Sequence, residues 1–221
     1  MKIWDVSQGT TEWLMVRAGI PTASGFNQIL TPGGKISTQA EKYQFGLLAE
    51  RMMKQPRVEA VTMWMERGSD MERDAVSWYE FERDCDTVPV GFITNDPWTI
   101  GASPDRLCGE NGLLEIKCPS EAVHVSYLLK KGVDAAYYPQ VQGQLWITGR
   151  QWVDIVSFHP LMRKALIRVE RDEGYIRVLS GVVETFSEQL EEQSRILEER
   201  GWIEPNWNPL RVRRHETAGV A

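Results

Sequence analysis

Ser103-Pro104-Asp105-Arg106-Leu107-Cys108-Gly109-Glu110-Asn111-Gly112-Leu113-Leu114-Glu115-Ile116-Lys117 places two carboxylates and an ammonium on either side of a Gly-rich turn. Residues 113–117 have strand composition, and Gly109-Glu110-Asn111-Gly112 is a strong turn signal. Side chains alternate along a strand, so Glu115 and Lys117 point to one face and Ile116 into the core. The turn can fold this strand back beside the segment carrying Asp105. Two carboxylates so close repel unless a cation sits between them. An all-oxygen site selects a hard ion such as Mg²⁺ or Mn²⁺, with the Ile116 carbonyl as a further ligand. The arrangement suits phosphodiester hydrolysis. The ion stabilises charge on the phosphate and lowers the pKa of a bound water, while Lys117 holds that water and offsets the developing negative charge. The competing reading is an exposed hairpin with a surface Glu–Lys pair, because the triplet Glu-x-Lys is common.

Around this stretch the pattern predicts helices over 11–19, 37–54, 65–82, 120–131, 136–148 and 173–200, the last ended at Gly201. Strand composition recurs at 88–94, 99–102, 152–158 and 165–169. Helices, then a central sheet, then helices predict an α/β (α+β) domain, its mixed β-sheet flanked by helices on both faces. The chain has 221 residues, 42% hydrophobic and 25% charged, so it can bury a core and is not of disordered type. Residues 1–203 are expected to form one domain and 204–221 a C-terminal tail made basic by Arg211, Arg213 and Arg214. No apolar run approaches the roughly 18 residues of a membrane span. No signal-peptide stretch opens the chain, and three cysteines cannot be fully paired, so a reducing cytoplasm is the expected compartment. Against 25 Lys+Arg stand 31 Asp+Glu, a net charge of −6. Bulk attraction to nucleic acid is therefore not expected. An enzyme acting on it would need its positive charge concentrated in a groove or channel.

Ser103-Pro104-Asp105…Leu114-Glu115-Ile116-Lys117-Cys118-Pro119 resembles the PD-(D/E)xK nuclease motif, and in detail that of the phage lambda exonuclease (YqaJ-like viral recombinase) family. Glu12-Trp13…Arg17-Ala18-Gly19-Ile20-Pro21-Thr22-Ala23-Ser24 resembles the N-terminal signature of that family. Arg67-Gly68…Glu72 resembles the helix with its early glutamate, and Tyr137-Tyr138-Pro139-Gln140-Val141-Gln142 its Y-x-x-Q-(V/M)-Q helix. The blocks follow the family's order. The resemblance implies a restriction-endonuclease-like core in which Asp105, Glu115 and the Ile116 carbonyl hold Mg²⁺, or Mn²⁺ in its place, and Lys117 is catalytic. Glu72 would help hold a metal or orient the attacking water, and Gln140 would position Lys117 or the water. Arg17, Ser24 and Ser103 would contact phosphates near the cut.

The implied activity is 5′–3′ digestion of one strand of double-stranded DNA from its ends, leaving a 3′ overhang for recombination with a single-strand annealing protein. A homotrimeric ring around DNA, in a phage or prophage setting within a bacterial cytoplasm, is implied as well. The rivals are a restriction-like endonuclease on the same core and a non-catalytic DNA-end-binding protein. One departure is that the family's terminal-phosphate arginine falls near Gly33-Gly34, so its role would pass to Lys35, a point charge rather than a fork. Trp64 is a candidate wedge at the terminal base pair, with core burial as its alternative. Arg163, Lys164, Arg168 and Arg171 could track a DNA backbone or form a solvated strand edge. His124, His159 and His215 have no ligand spacing.

Overall fold

A computed structural model describes residues 1–56, 63–130, 134–205 and 207, with the backbone alone over 63–70. In chain order the elements are β1 (Lys2–Trp4), α1 (Thr11–Arg17), a 3₁₀ turn (Ala23–Gln28), α2 (Ala40–Met53), α3 (Met63–Arg83), β2 (Thr87–Pro89), β3 (Phe92–Thr94), β4 (Gly101–Ala102), β5 (Arg106–Cys108), β6 (Gly112–Lys117), α4 (Glu121–Lys130), a second 3₁₀ turn (Ala135–Tyr137), α5 (Tyr138–Thr148), β7 (Trp152–Ser157), β8 (Ala165–Glu170) and α6 (Glu173–Glu199).

The main sheet has the order β2-β5-β6-β7-β8. All its neighbours are antiparallel except β6 and β7, which run parallel and are joined by the crossover through α4 and α5. A parallel pair carries its connection over a face of the sheet and is buried on both sides, which explains the unbroken apolar run Leu113-Leu114 before Glu115. Alternation then sorts the strand between two cores. Leu114 and Ile116 join Val156 and Cys108 under Ala75 and Tyr79 of α3. Leu113 joins Val153 and Ile155 under Val141 and Leu145 of α5 and Ile176 of α6. The sheet is thus mixed and covered on both faces, as the sequence pattern predicts.

The expected strand over 88–94 is divided. Thr87–Pro89 belongs to the main sheet, whereas Phe92–Thr94 pairs with β1 and β4 in a separate three-stranded sheet. Pro89 has no N–H for a further ladder bond. Gly91 lies so close to the Val6 carbonyl that a Cβ there would come within 1.7 Å of the oxygen. The chain changes sheets between these two residues. β1 and β5, each of three residues, are too short to show a period.

α5 carries Pro in its first turn and stops at Gly149, whose φ of 71° is the left-handed conformation that glycine tolerates. Asp172 caps α6 by accepting the Tyr175 N–H at 2.9 Å. Among the described residues no helix is long and apolar enough to cross a membrane.

Candidate active site

The hairpin of β5 and β6 pairs Arg106 with Leu114. One residue further along that register Asp105 faces Glu115, and Asp105 Oδ2 accepts the Ile116 N–H at 2.6 Å. The Gly-rich turn therefore brings the two carboxylates together, as the spacing implies. Arg150 holds the turn from outside, its Nη1 donating to the carbonyls of Gly109 and Gly112 at 2.8 and 2.6 Å.

Glu115 is buried, and three donors converge on it. Lys117 Nζ and Gln140 Nε2 both donate to Oε1 at 2.7 Å, and Gln144 Nε2 donates to Oε2 at 2.8 Å. An ionised carboxylate has about four lone-pair positions, so one remains for a further ligand. Burial alone would pull the Lys117 ammonium down, but Glu115 and Asp105 more than offset it and hold it above the usual lysine range. Its Nζ also lies 4.8 Å from the centre of the Tyr137 ring. Asp105 is pushed well above the usual carboxylate range by burial and by Glu115, with Glu72 adding to the effect and the Ile116 N–H and Lys117 opposing it. Glu72, on the exposed side of α3, is raised by desolvation and by Glu115 and lowered by Arg106. All five residues assigned catalytic roles thus belong to one electrostatic neighbourhood.

A second cluster adjoins it. Arg17 donates from Nη1 to Ser103 Oγ at 2.8 Å and from Nη2 to Ser24 Oγ at 3.2 Å. Its guanidinium lies 4.0 Å from the centre of the Trp13 ring, whose Nε1 also donates to Ser103 Oγ at 3.0 Å. Burial pushes Arg17 down to about 10, so it stays charged at neutral pH, while Glu50 and Glu115 act in the opposite sense. Among the described residues no carboxylate lies within ion-pair distance of Arg17. A desolvated guanidinium held by hydroxyls and aromatic faces suits an incoming phosphate. Gly143 permits this proximity, because a Cβ there would come within 2.4 Å of Phe26 in the 3₁₀ turn that presents Ser24.

Lys35 does not join this group. It is exposed in the loop closed by the Leu30–Ile36 bridge, and no described contact ties it to Arg17, Ser24 or Ser103. The Trp64 side chain and Arg211, Arg213, Arg214 and His215 lie outside the described residues. Two of the four basic residues near β8 are occupied within the chain. Arg168 makes a two-pronged contact with buried Asp154 at 2.7 and 2.8 Å, and Arg171 bonds Glu173 and the Leu145 carbonyl. His124 is buried between Ser157 and the Arg163 carbonyl, a structural role.

The sequence reading sets Gln144 on the helix face of Gln140 without a role and does not single out Tyr127. The i, i+4 spacing from Gln140 signals Gln144, but nothing local signals Tyr127, which is buried with no hydrogen-bond partner for its hydroxyl among the described residues and its phenol pushed up to about 12 by burial and by Tyr137.

The donor set fits a hard dication. Its side-chain ligands are carboxylate oxygens, and the raised proton affinity of Asp105 marks a concentration of negative charge that a cation would relieve. No group of three or more His, Cys, Asp or Glu side chains is gathered in metal-holding geometry among the described residues. Two carboxylates and a carbonyl match an ion that keeps several waters and binds substrate phosphate, as Mg²⁺ does.

Comparison with known proteins agrees with this geometry. Residues 12–151 match the YqaJ-like viral recombinase domain. An alkaline exonuclease from Laribacter hongkongensis is 31% identical and superposes with a TM-score of 0.78 over 87% of this chain and 98% of its own. The same enzyme in complex with dAMP gives 30% identity and a TM-score of 0.77, with the same coverage. A phage-related exonuclease from Haemophilus somnus 129PT shares the fold, with 15% identity and a TM-score of 0.62 over 82% of this chain and 96% of its own. No curated protein sequence matches. The motif residues, their convergence at the β5–β6 hairpin and the match over 12–151 lead to one assignment: the chain belongs to the YqaJ-like viral recombinase family, with the Laribacter alkaline exonuclease as a solved relative.

Proposed function

We propose that this DNA exonuclease digests one strand of linear double-stranded DNA from its 5′ end, depends on Mg²⁺, and leaves a 3′ overhang for single-strand annealing. The observation that carries the reading is the convergence of Asp105, Glu115 and Lys117 beside the desolvated guanidinium of Arg17. Asp105, Glu115 and the Ile116 carbonyl would hold the ion, which when bound supplies charge neutralisation at the phosphate and a more acidic water. Lys117 orients the attacking water and offsets negative charge as it develops on the phosphate. Gln140, bonded to the same Glu115 oxygen as Lys117, keeps that ammonium in register. Glu72, whose carboxyl is raised by desolvation and by Glu115, would accept or orient a proton of the attacking water. Arg17, Ser24 and Ser103 bind a phosphate next to the cut. Lys35 remains a second phosphate contact by loop position alone. The dAMP complex of the Laribacter enzyme supports a nucleoside monophosphate product.

The test compares linear with covalently closed duplex, with Mg²⁺ and with chelator. Digestion of the linear form alone, only with Mg²⁺, is expected. Cutting of closed DNA would favour the endonuclease, and binding without cutting the non-catalytic reading. The annealing partner is tested by co-purification of the two proteins, with and without residues 204–221. Absence of interaction in both would remove it.

A further inference from the structure

Gln144 lies one helical turn beyond Gln140 on α5 and is 1% exposed. Its Nε2 holds Oε2 of Glu115, the oxygen that neither Lys117 nor Gln140 touches. The other end of the same amide, Oε1, is buried with no hydrogen-bond partner among the described residues. Turning the amide over would not help, because Oε1 would then face a carboxylate oxygen, acceptor against acceptor. Gln142 makes the contrast. It is equally buried, yet its Nε2 donates to the Glu170 carbonyl and its Oε1 accepts the Asp172 N–H, both at 2.9 Å. Gln142 straps α5 to the start of α6 and leaves nothing unpaired. Gln144 leaves an acceptor stranded, which costs stability. An apolar side chain there would carry no stranded acceptor of its own, but would take away the donor to Glu115 Oε2. Among the described residues the one side-chain bond of Gln144 is to Glu115.

We propose that Gln144 is a positioning residue for the hydrolytic site, holding the Glu115 carboxylate from behind. This rests on the reading that Asp105 and Glu115 bind a divalent cation. With Oε1 shared by Lys117 and Gln140, the hold on Oε2 fixes the rotation of the carboxylate and leaves one lone pair in a defined direction. Groups that orient a metal-binding carboxylate commonly govern affinity for the ion as strongly as the ligands' own geometry does. Without Gln144 the carboxylate can turn about its terminal bond, and Lys117, bonded to it, moves with it.

The test uses the full chain with Gln144→Met and Gln144→Leu. Thermal melting is measured in chelator, Mn²⁺ binding by calorimetric titration with Mn²⁺ alone, and digestion of linear duplex across a range of Mg²⁺. Both variants should unfold as cooperatively as the parent. Mn²⁺ affinity and kcat should each fall about 10- to 100-fold, with KM for DNA nearly unchanged. Should only one variant fold, that one decides. A KM for DNA that rises while kcat and Mn²⁺ affinity stay parental assigns the residue to substrate binding and overturns the proposal. So does parental Mn²⁺ affinity with parental turnover. If the parent itself neither binds Mn²⁺ nor digests linear DNA, the underlying reading fails and takes the proposal with it.

Discussion

Lys117 is tied to Glu115 rather than exposed to solvent, and its charge is secured by two carboxylates. Its work is therefore on the chemical step. Lys117→Ala should lower single-turnover cleavage by roughly 10²-fold or more while DNA affinity changes little. Normal cleavage with weak binding would assign the residue to substrate capture. Asp105 gives a prediction of opposite character. Its carboxyl titrates well above its ordinary value because of burial and Glu115. The folded chain then holds that proton more tightly than the unfolded chain, so stability falls as pH rises from the ordinary carboxylate range through the raised value. Asp105→Asn should accordingly melt higher than the parent in chelator at pH about 8, with the gain shrinking towards pH about 4, the unfolded-state value. The same substitution should abolish cleavage. A lower melting temperature at the higher pH would show that the crowding of negative charge has been misjudged.

At the scale of elements, the hairpin was legible because a turn of four residues fixes its register, and register fixes which carboxylates meet. The long helices were legible from their period, and α3 runs close to the expected 65–82. What stayed hidden was set by tertiary contact. The division of 88–94 between two sheets depends on Gly91 meeting Val6, far away in sequence. Gln144 shares a face with Gln140, but whether that face meets Glu115 depends on the crossover laying α5 over β6. The phosphate cluster is the product of three elements. α1 gives Arg17, the first 3₁₀ turn Ser24, and the segment after β4 Ser103. Because Arg17 is desolvated without a carboxylate partner, its free energy improves when a phosphate arrives. Duplexes with a 5′-phosphate should be digested faster than those with a 5′-hydroxyl, and Arg17→Met should remove most of the difference. Equal rates on the two substrates with the parent would sink this role. Arg17→Lys should restore charge but only part of the preference, since an ammonium cannot reproduce the fork.

For the whole molecule the question is how a chain of net charge −6 handles a polyanion. Several of its cations are already engaged internally. Arg51 pairs with Glu191, Arg168 with Asp154 and Arg171 with Glu173. Among the described residues the cations of the site are Arg17, Lys117 and Arg106, the last already bonded to Thr87 and close to Glu80, so a single copy offers few to hold a duplex between successive cuts. The ring of three copies that the family resemblance implies would answer this arithmetic. Heterologous interfaces close after three steps when each rotates the next copy by a third of a turn, and every site cation then lines one central passage three times over. The outer surface can stay acidic, which keeps rings apart, while the passage attracts phosphate. Enclosure also replaces affinity as the source of processivity, because a duplex threaded through a closed ring cannot diffuse away sideways. Mass measurement in solution should therefore give three subunits. Trap DNA added after digestion has begun should leave the rate unchanged, whereas trap added beforehand should suppress it. Raising salt should weaken loading on DNA ends through counterion release, yet slow ongoing digestion much less. A monomer halted at once by the late trap would remove both the ring and the processivity, and would leave the cations of a single site to hold the substrate alone.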